Sequence, residues 1–166
     1  MKVPSLYRIH GEPSEERLIK FLQDMKILGI DLKASIKKMS PKVIQKMIDN
    51  LKKYPAFKVL NTKMLSCMDK AVYDTKNIGH FGIASKIYTH FTSPIRRFPD
   101  LMVHTLLHKY VFEYQVDMDL IKYYESYLPS VCESSSHREQ EAQDAEREVL
   151  DMKMAEYMES HIGENL

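Results

Sequence analysis

The spacing of the apolar residues restricts the fold most. They recur every three or four positions in several segments that glycine or proline separates, and this spacing is typical of amphipathic helices. Ser14 is a good N-cap for the first helix, which Gly29 closes. A second helix begins at Ser40 with Pro41 in its first position. The apolar face of the first segment consists of Leu18, Phe21, Leu22, Met25 and Leu28. We therefore expect a mostly helical domain.

The middle of the chain shows a different pattern. Residues 4–10 predict a short strand or an extended lead-in, and residues 61–73 predict another helix. Residues 79–92 are rich in Gly, Phe, Ile, Tyr and Thr, which favours a hairpin or irregular strands. A further helix is expected from Ser93-Pro94 onward. These segments together predict an α+β fold, mostly α-helical, with a small strand element near residues 79–92.

Two helices are predicted in the last third of the chain. Residues 117–128 predict a short helix that Pro129 ends. A long final helix follows and ends at Gly163. A seam of residues spaced alternately by four and three runs along it: Arg138, Ala142, Ala145, Val149, Met152 and Glu156. The chain has no repeat or obvious linker, so residues 1–166 are read as one unit.

The charge is unevenly distributed along the chain. Residues 1–60 carry 13 lysines and arginines against 6 acidic residues, a balance of +7, whereas residues 131–162 carry 3 against 9, a balance of −6. Such asymmetry indicates either a face that binds a polyanion or two solvated helix faces.

Composition also excludes some classes of protein. No run of about 18 apolar residues is present, so no transmembrane helix and no membrane partner are expected. The start, MKVPSLYRIHGEP, lacks the apolar region of a secretory signal. Cys67 and Cys132 form no CxxC pair, which fits a reducing compartment and predicts a cytoplasmic protein.

The stretch TSPIRR, residues 92–97, is the strongest candidate for a binding site. If Ser93 caps a helix and Pro94 presets its first turn, Arg96 and Arg97 lie beside free backbone N–H groups, an arrangement suited to a phosphate. Adjacent residues differ by about 100° around a helix, so the two arginines are expected to have different tasks. The alternative is that both pair with carboxylates such as Asp100.

Other chemistries receive less support from the sequence. His104 and His108 have the spacing of a zinc pair, but the motif HTLLH lacks the glutamate of HExxH and a third ligand. Packed histidines are the better interpretation, and no metal site is predicted. No GxSxG, P-loop or GxGxxG motif is present.

Aromatic residues surround the arginine pair. Tyr88 and Phe91 precede Arg96 and Arg97, and Phe98 follows them. Aromatics placed among arginines suit single-stranded nucleic acid, which binds through stacking and charge. The alternative is that these aromatics belong to the core of a small sheet.

The stretch GHFGIASKIYTHFTSPIRRFPDLMVH, residues 79–104, resembles the signature of the RNB catalytic domain, found in the ribonuclease R and ribonuclease II family. The segment PSLYRIHGEPSEERLIKFLQDMKILGI resembles the family's RxH segment and the helix after it. The segment AEREVLDMKMAEYMESHIGE, residues 145–164, resembles the helix that leads out of the domain. The lead-in is more similar to ribonuclease R than to ribonuclease II.

The resemblance implies a processive 3′→5′ exoribonuclease that hydrolyses single-stranded RNA to 5′-nucleoside monophosphates with Mg²⁺ held by aspartates. Arg96 matches the family arginine that stabilises the transition state. Ser93, Arg97 and Tyr88 are expected to bind RNA. The resemblance also implies that Glu146 contacts RNA near its 3′ end. DNA is not an expected partner.

The resemblance further implies that the Mg²⁺ ligands lie upstream of this chain. Residues 1–166 would then form the C-terminal portion of the RNB domain, without the flanking OB-type domains, and would be inactive alone. The upstream half of the domain is the expected partner. Two alternatives remain: a non-catalytic RNA-binding or structural module, and a helical protein-interaction domain.

Overall fold

The computed structural model describes residues 3–32 and 39–163. Helices dominate and the described residues contain one two-stranded sheet, which confirms the mostly helical α+β class. The elements are β1 (Tyr7–Ile9), α1 (Glu15–Ile27), α2 (Pro41–Leu51), α3 (Phe57–Leu65), β2 (Val72–Asp74), a 3₁₀ turn (Phe81–Ile83), α4 (Phe98–Leu107), a π-helical turn (His108–Phe112) and α5 (Met118–Glu159). Within these ranges, no helix combines the length and the apolar character that crossing a bilayer requires.

The first three helices enclose one hydrophobic core, to which the predicted apolar faces contribute. Its members include Leu18, Phe21, Met25, Ile44, Met47, Leu51, Leu60 and Met64. Ser40 caps α2 by accepting a hydrogen bond from the Val43 N–H, as predicted. Gly29, at φ +75°, follows α1 in the left-handed conformation that glycine adopts without strain. Cys67 is buried in this core, where burial raises the pKa of its thiol.

A second core lies between the sheet, α4 and α5. Its members include Leu6, Tyr73, Met102, Val103, Leu106, Tyr124, Leu128 and Val131. The two strands are antiparallel, and Arg8 lies opposite Tyr73 in the register. Opposed residues in an antiparallel pair project from the same face. This register therefore brings an arginine and a tyrosine together beside α5.

The strand β1 lies within residues 4–10, as predicted, but the strand element predicted near residues 79–92 is not where β2 lies. Residues 79–92 contain a 3₁₀ turn and isolated bridges at His80, whereas the sheet is formed by segments around residues 8 and 73. Gly79 explains the difference because it has φ +82°, and an added Cβ would lie 3.0 Å from the Ser85 carbonyl oxygen. The chain folds back on itself here, and only glycine fits this close approach.

The predicted helix over residues 61–73 is also placed incorrectly. The observed helix α3 runs from Phe57 to Leu65, and Val72 begins β2 instead of ending a helix. The reason is tertiary, since Val72 pairs with Ile9 of β1. Pairing across more than 60 residues is invisible to a local periodicity.

Pro129 does not end a helix, so the division of the last third into two helices is wrong. The helix α5 runs continuously from Met118 to Glu159 with Pro129 inside it, and it ends before Gly163. Pro129 is solvent-exposed, while Leu128, Val131 and Cys132 beside it are buried. Their packing against the second core holds the helix together where the proline removes one hydrogen bond. The predicted seam from Arg138 to Glu156 is exposed along its length.

Candidate functional site

A cavity of about 540 Å³ lies between the turn that precedes α4 and the middle of α5. Arg96 and Arg97 line it from the turn, and Tyr73 lines it from β2. The helix contributes Ser134, Ser135, Arg138, Glu139 and Ala142. Three arginines thus face one glutamate, and this balance suits an anionic ligand.

The two arginines lie in a turn before α4, so the predicted helix start at Ser93-Pro94 is wrong. The Ser93 carbonyl accepts hydrogen bonds from the N–H groups of Arg96 at 3.3 Å and Arg97 at 3.0 Å. Pro94 occupies the second position of this β-turn, where proline is favoured. The helix begins at Phe98, with Arg97 at the N-cap position.

Asp100 holds the turn in place and is fully buried. Its Oδ2 accepts hydrogen bonds from the Ser93 N–H at 2.7 Å and from Arg97 Nη2 at 2.8 Å. The same carboxylate oxygen therefore ties the start of the turn to its second arginine. This contact confirms the alternative that the sequence left open for Arg97, which pairs with Asp100.

Arg96 has a different environment from its neighbour. It is exposed at the cavity, and its guanidinium makes no hydrogen bond or ion pair with any residue in the described ranges. The two arginines therefore differ in their environments. Asp100 neutralises Arg97, whereas the charge of Arg96 remains available to a ligand.

A partly buried ion pair includes Glu139 of the cavity lining. Arg8 donates two hydrogen bonds to Glu139, at 2.5 and 2.8 Å. The Arg8 guanidinium also lies 4.6 Å from the centre of the Tyr73 ring, a cation–π distance. The backbone N–H of Tyr73 donates to Ser136 Oγ at 2.9 Å. These contacts attach both strands to α5.

Tyr73 connects the cavity to His90. Its hydroxyl lies 2.6 Å from His90 Nδ1. Burial raises the pKa of Tyr73 to about 12. Burial, reinforced by the positive charges of Arg97 and Arg8, lowers the pKa of His90. Burial and the neighbouring His10 likewise lower the pKa of His80, whose ring stacks on that of His10. Both histidines are therefore neutral at neutral pH.

The lowered histidine pKa values predict that acid destabilises the fold. Each of these histidines binds a proton near the ordinary pKa of 6.5 in the unfolded state, but only at lower pH in the folded state. The stability that the neutral histidines contribute is therefore fully present above pH 6.5. It is lost as the pH falls through the folded pKa values. The urea concentration at the midpoint of unfolding should therefore decrease when the pH is lowered from about 7.5 to about 5.5. His80→Gln and His90→Gln should each reduce this fall, while the exposed His137→Gln should not. An undiminished fall in both variants would contradict the assignment.

The other predicted site residues lie at different distances from the cavity. Ser93 forms the turn through its backbone. Tyr88 does not line the cavity, but its ring packs edge-on against His80 and His90. Glu146 is exposed on α5, one turn beyond Ala142, which lines the cavity. The structure therefore brings Arg96 and Arg97 together and leaves Tyr88 and Glu146 at the periphery.

Three residues of this region, Arg8, Tyr73 and Glu139, were not predicted as site residues. Arg8 and Glu139 are separated by 131 positions in sequence, so no local spacing could pair them. Arg8 belongs to the RIH segment that carries part of the family resemblance. An arginine in an otherwise extended segment was the one available signal.

The described residues do not fit a magnesium site. They contain no group of three or more His, Cys, Asp or Glu side chains arranged to hold a metal ion. The two histidines with zinc-like spacing have other contacts: His104 Nε2 lies 2.8 Å from the Phe91 carbonyl, and His108 Nδ1 lies 3.1 Å from Glu113.

Comparisons with known proteins identify the family. The model of the RNB domain matches residues 1–113. Ribonuclease R 1 of Lactococcus lactis is 43% identical over 98% of this chain, and ribonuclease R of Mycoplasmopsis pulmonis is 42% identical over 100% of it. The match spans 20% and 23% of those two proteins, so the chain corresponds to about a fifth of their length.

A solved structure agrees with the sequence matches. RNase R of Mycoplasma genitalium superposes with a TM-score of 0.89 at 26% identity, covering 98% of this chain and 26% of that protein. It has been solved in apo form and with ribose-methylated single-stranded RNA. On the family model, the identity to the curated relatives and this shared fold, the chain belongs to the RNB-domain ribonuclease R family.

Proposed function

We propose that this chain is the C-terminal portion of the catalytic domain of a processive 3′→5′ exoribonuclease that hydrolyses single-stranded RNA to 5′-nucleoside monophosphates. The observation that carries the proposal is the guanidinium of Arg96, which has no partner among the described residues and lies at a cationic cavity in a member of a ribonuclease family. A phosphodiester is the anion that such a site would receive in an RNA-degrading enzyme.

Arg96 is the proposed catalytic residue. Hydrolysis of a phosphodiester passes through a state with added negative charge on the oxygens around phosphorus, and a cation held at that point lowers the barrier. The turn fixes the backbone of Arg96 through the Ser93 carbonyl and the buried Asp100. Arg97 also lines the cavity, with its guanidinium bonded to Asp100, and it is a proposed RNA-binding residue.

The residues that would bind Mg²⁺ lie outside this chain in this proposal, and the upstream half of the domain is the proposed partner. Exposed apolar side chains near the cavity support this proposal: Ile95 is 102% exposed, Phe98 49% and Leu101 46%. Apolar residues clustered in this way mark an interaction surface. The proposed location is the cytoplasm, and Ser93, Tyr88 and Glu146 are proposed RNA-binding residues at the edge of the site.

A second candidate is a non-catalytic RNA-binding module. The absence of a metal-binding group among the described residues favours it. A helical protein-interaction domain is the third candidate. It predicts no salt-sensitive RNA binding, whereas binding through phosphate contacts should weaken with salt.

A chimera separates these functions. Residues 1–166 would replace the matching segment of the Lactococcus lactis ribonuclease R 1, and the chimera would be incubated with Mg²⁺ and 5′-labelled single-stranded RNA. Progressive shortening from the 3′ end with release of 5′-monophosphates is expected. A folded chimera that binds RNA but leaves it intact would support the non-catalytic module and contradict the proposal.

A further inference from the structure

The serine hydroxyls of α5 fall into two groups. Those of Ser126, Ser130 and Ser136 donate to helix carbonyls three or four residues earlier, at 2.8 to 2.9 Å. Ser134 and Ser135 line the cavity, and their hydroxyls make no hydrogen bond to any residue within 3–32 or 39–163. Two hydroxyl donors are therefore free at the cavity wall.

Arg138 lines the cavity together with these serines, and it is a basic residue in a mostly acidic part of α5. Residues 131–162 carry three basic residues against nine acidic ones, and Arg138 is the basic residue among them that lines the cavity. Its guanidinium is paired with Glu141 at 2.8 Å, and its side chain is 78% exposed. Exposed ion pairs contribute little free energy, so a phosphate can replace this partner.

Glu139 does not repel an anion from this wall. Among the described residues, it is the one carboxylate that lines the cavity, and both of its oxygens accept hydrogen bonds from Arg8. Its charge is thereby neutralised by Arg8, which does not itself line the cavity. The side of the cavity that α5 forms therefore presents the guanidinium of Arg138 and the hydroxyls of Ser134 and Ser135 to a ligand.

We propose that Arg138, Ser134 and Ser135 form a second phosphate-binding subsite, which takes a backbone phosphodiester of the single-stranded RNA whose other phosphate lies at Arg96. This inference rests on the proposed function, because it assigns the ligand of the same cavity. The two subsites face each other from different elements, the turn before α4 and the helix α5. A strand in the cavity would thus be held on both sides.

The test measures binding of a short fluorescent single-stranded RNA to the 166-residue chain, by anisotropy, without Mg²⁺ and at several salt concentrations. Arg138→Gln should weaken binding about tenfold at low salt and reduce the slope of log affinity against log salt by about 0.7. Arg147→Gln is the matched control, since Arg147 is an exposed arginine of the same helix with the same kind of ion pair, to Asp144. Replacing Ser134 and Ser135 with alanine should weaken binding and leave the slope unchanged, because a hydroxyl carries no charge.

The comparison of Arg138→Gln with Arg147→Gln decides whether the subsite exists. A larger effect of Arg138→Gln than of Arg147→Gln, in both affinity and slope, supports the subsite. Equal effects of the two arginine variants, with the wild-type chain binding RNA, overturn the subsite and leave the proposed function intact. A folded wild-type chain with no salt-dependent RNA binding overturns the subsite together with the proposed function.

Discussion

Replacing Arg96 with alanine in the chimera is expected to lower kcat by a factor of about 10² to 10³. Its guanidinium is the charge at the cavity that no described residue neutralises. In the proposed mechanism, the variant removes the stabilisation that this charge gives to the transition state. Because Arg96 is exposed, the same change should leave the midpoint of thermal unfolding nearly unaltered. Single-turnover rates at saturating enzyme would separate this loss from a loss of RNA affinity.

Two control variants test whether the loss of activity is specific to the guanidinium of Arg96. Arg147→Ala removes an exposed arginine of α5 outside the cavity and should retain full activity. Arg96→Lys keeps the charge but loses the planar fork of donors, so it should recover only part of the rate. Activity of Arg96→Ala within a few-fold of the wild-type chimera would contradict the catalytic assignment.

Replacing Asp100 with alanine is expected to lower the free energy of unfolding by about 3 kcal/mol. The carboxylate is fully buried, and its loss leaves the Ser93 N–H and the Arg97 guanidinium without their acceptor. A partly buried cation without its counter-ion is costly, and the turn that carries Arg96 loses its attachment. Urea unfolding at constant pH measures the effect.

The control and the coupling test use the same assay. Glu133→Ala removes an exposed carboxylate of α5 and should change the free energy by less than about 0.5 kcal/mol. Combining Asp100→Ala with Arg97→Ala should cost less than the sum of the single changes, because the second change removes the stranded charge. Additive single effects would show that the two side chains do not act as a pair.

Local sequence signals located α1 and α2, the first two helices of the first core. The spacing of Leu18, Phe21 and Met25, with Gly29 after them, depends on neighbours within one or two turns, and the structure buries the three apolar residues. The lead-in at residues 4–10 was predicted and contains β1. The strand β2 could not be found in this way, because it forms by pairing with a segment more than 60 residues away. Pro129 misled the prediction because tertiary packing outweighs the missing hydrogen bond.

The site shows the same division between local and tertiary information. The motif TSPIRR marked both arginines, and the structure places them at one cavity. Their backbone conformation depends on Asp100, whose bond to the Ser93 N–H closes a turn where the sequence favoured a helix. The contacts of Arg8 with Tyr73 and Glu139 join three distant segments, so only the folded chain shows them.

The most direct test of the central claim follows single-stranded RNA, labelled at its 5′ end, on a denaturing gel in the presence of Mg²⁺. The chain alone should leave the RNA intact, because the proposed metal ligands lie elsewhere in the domain. Adding the separately produced upstream part of the Lactococcus lactis enzyme should restore shortening from the 3′ end, and Arg96→Ala should abolish it. Shortening by the chain alone that is lost in Arg96→Ala would contradict the claim, since the chain would then hold its own metal site.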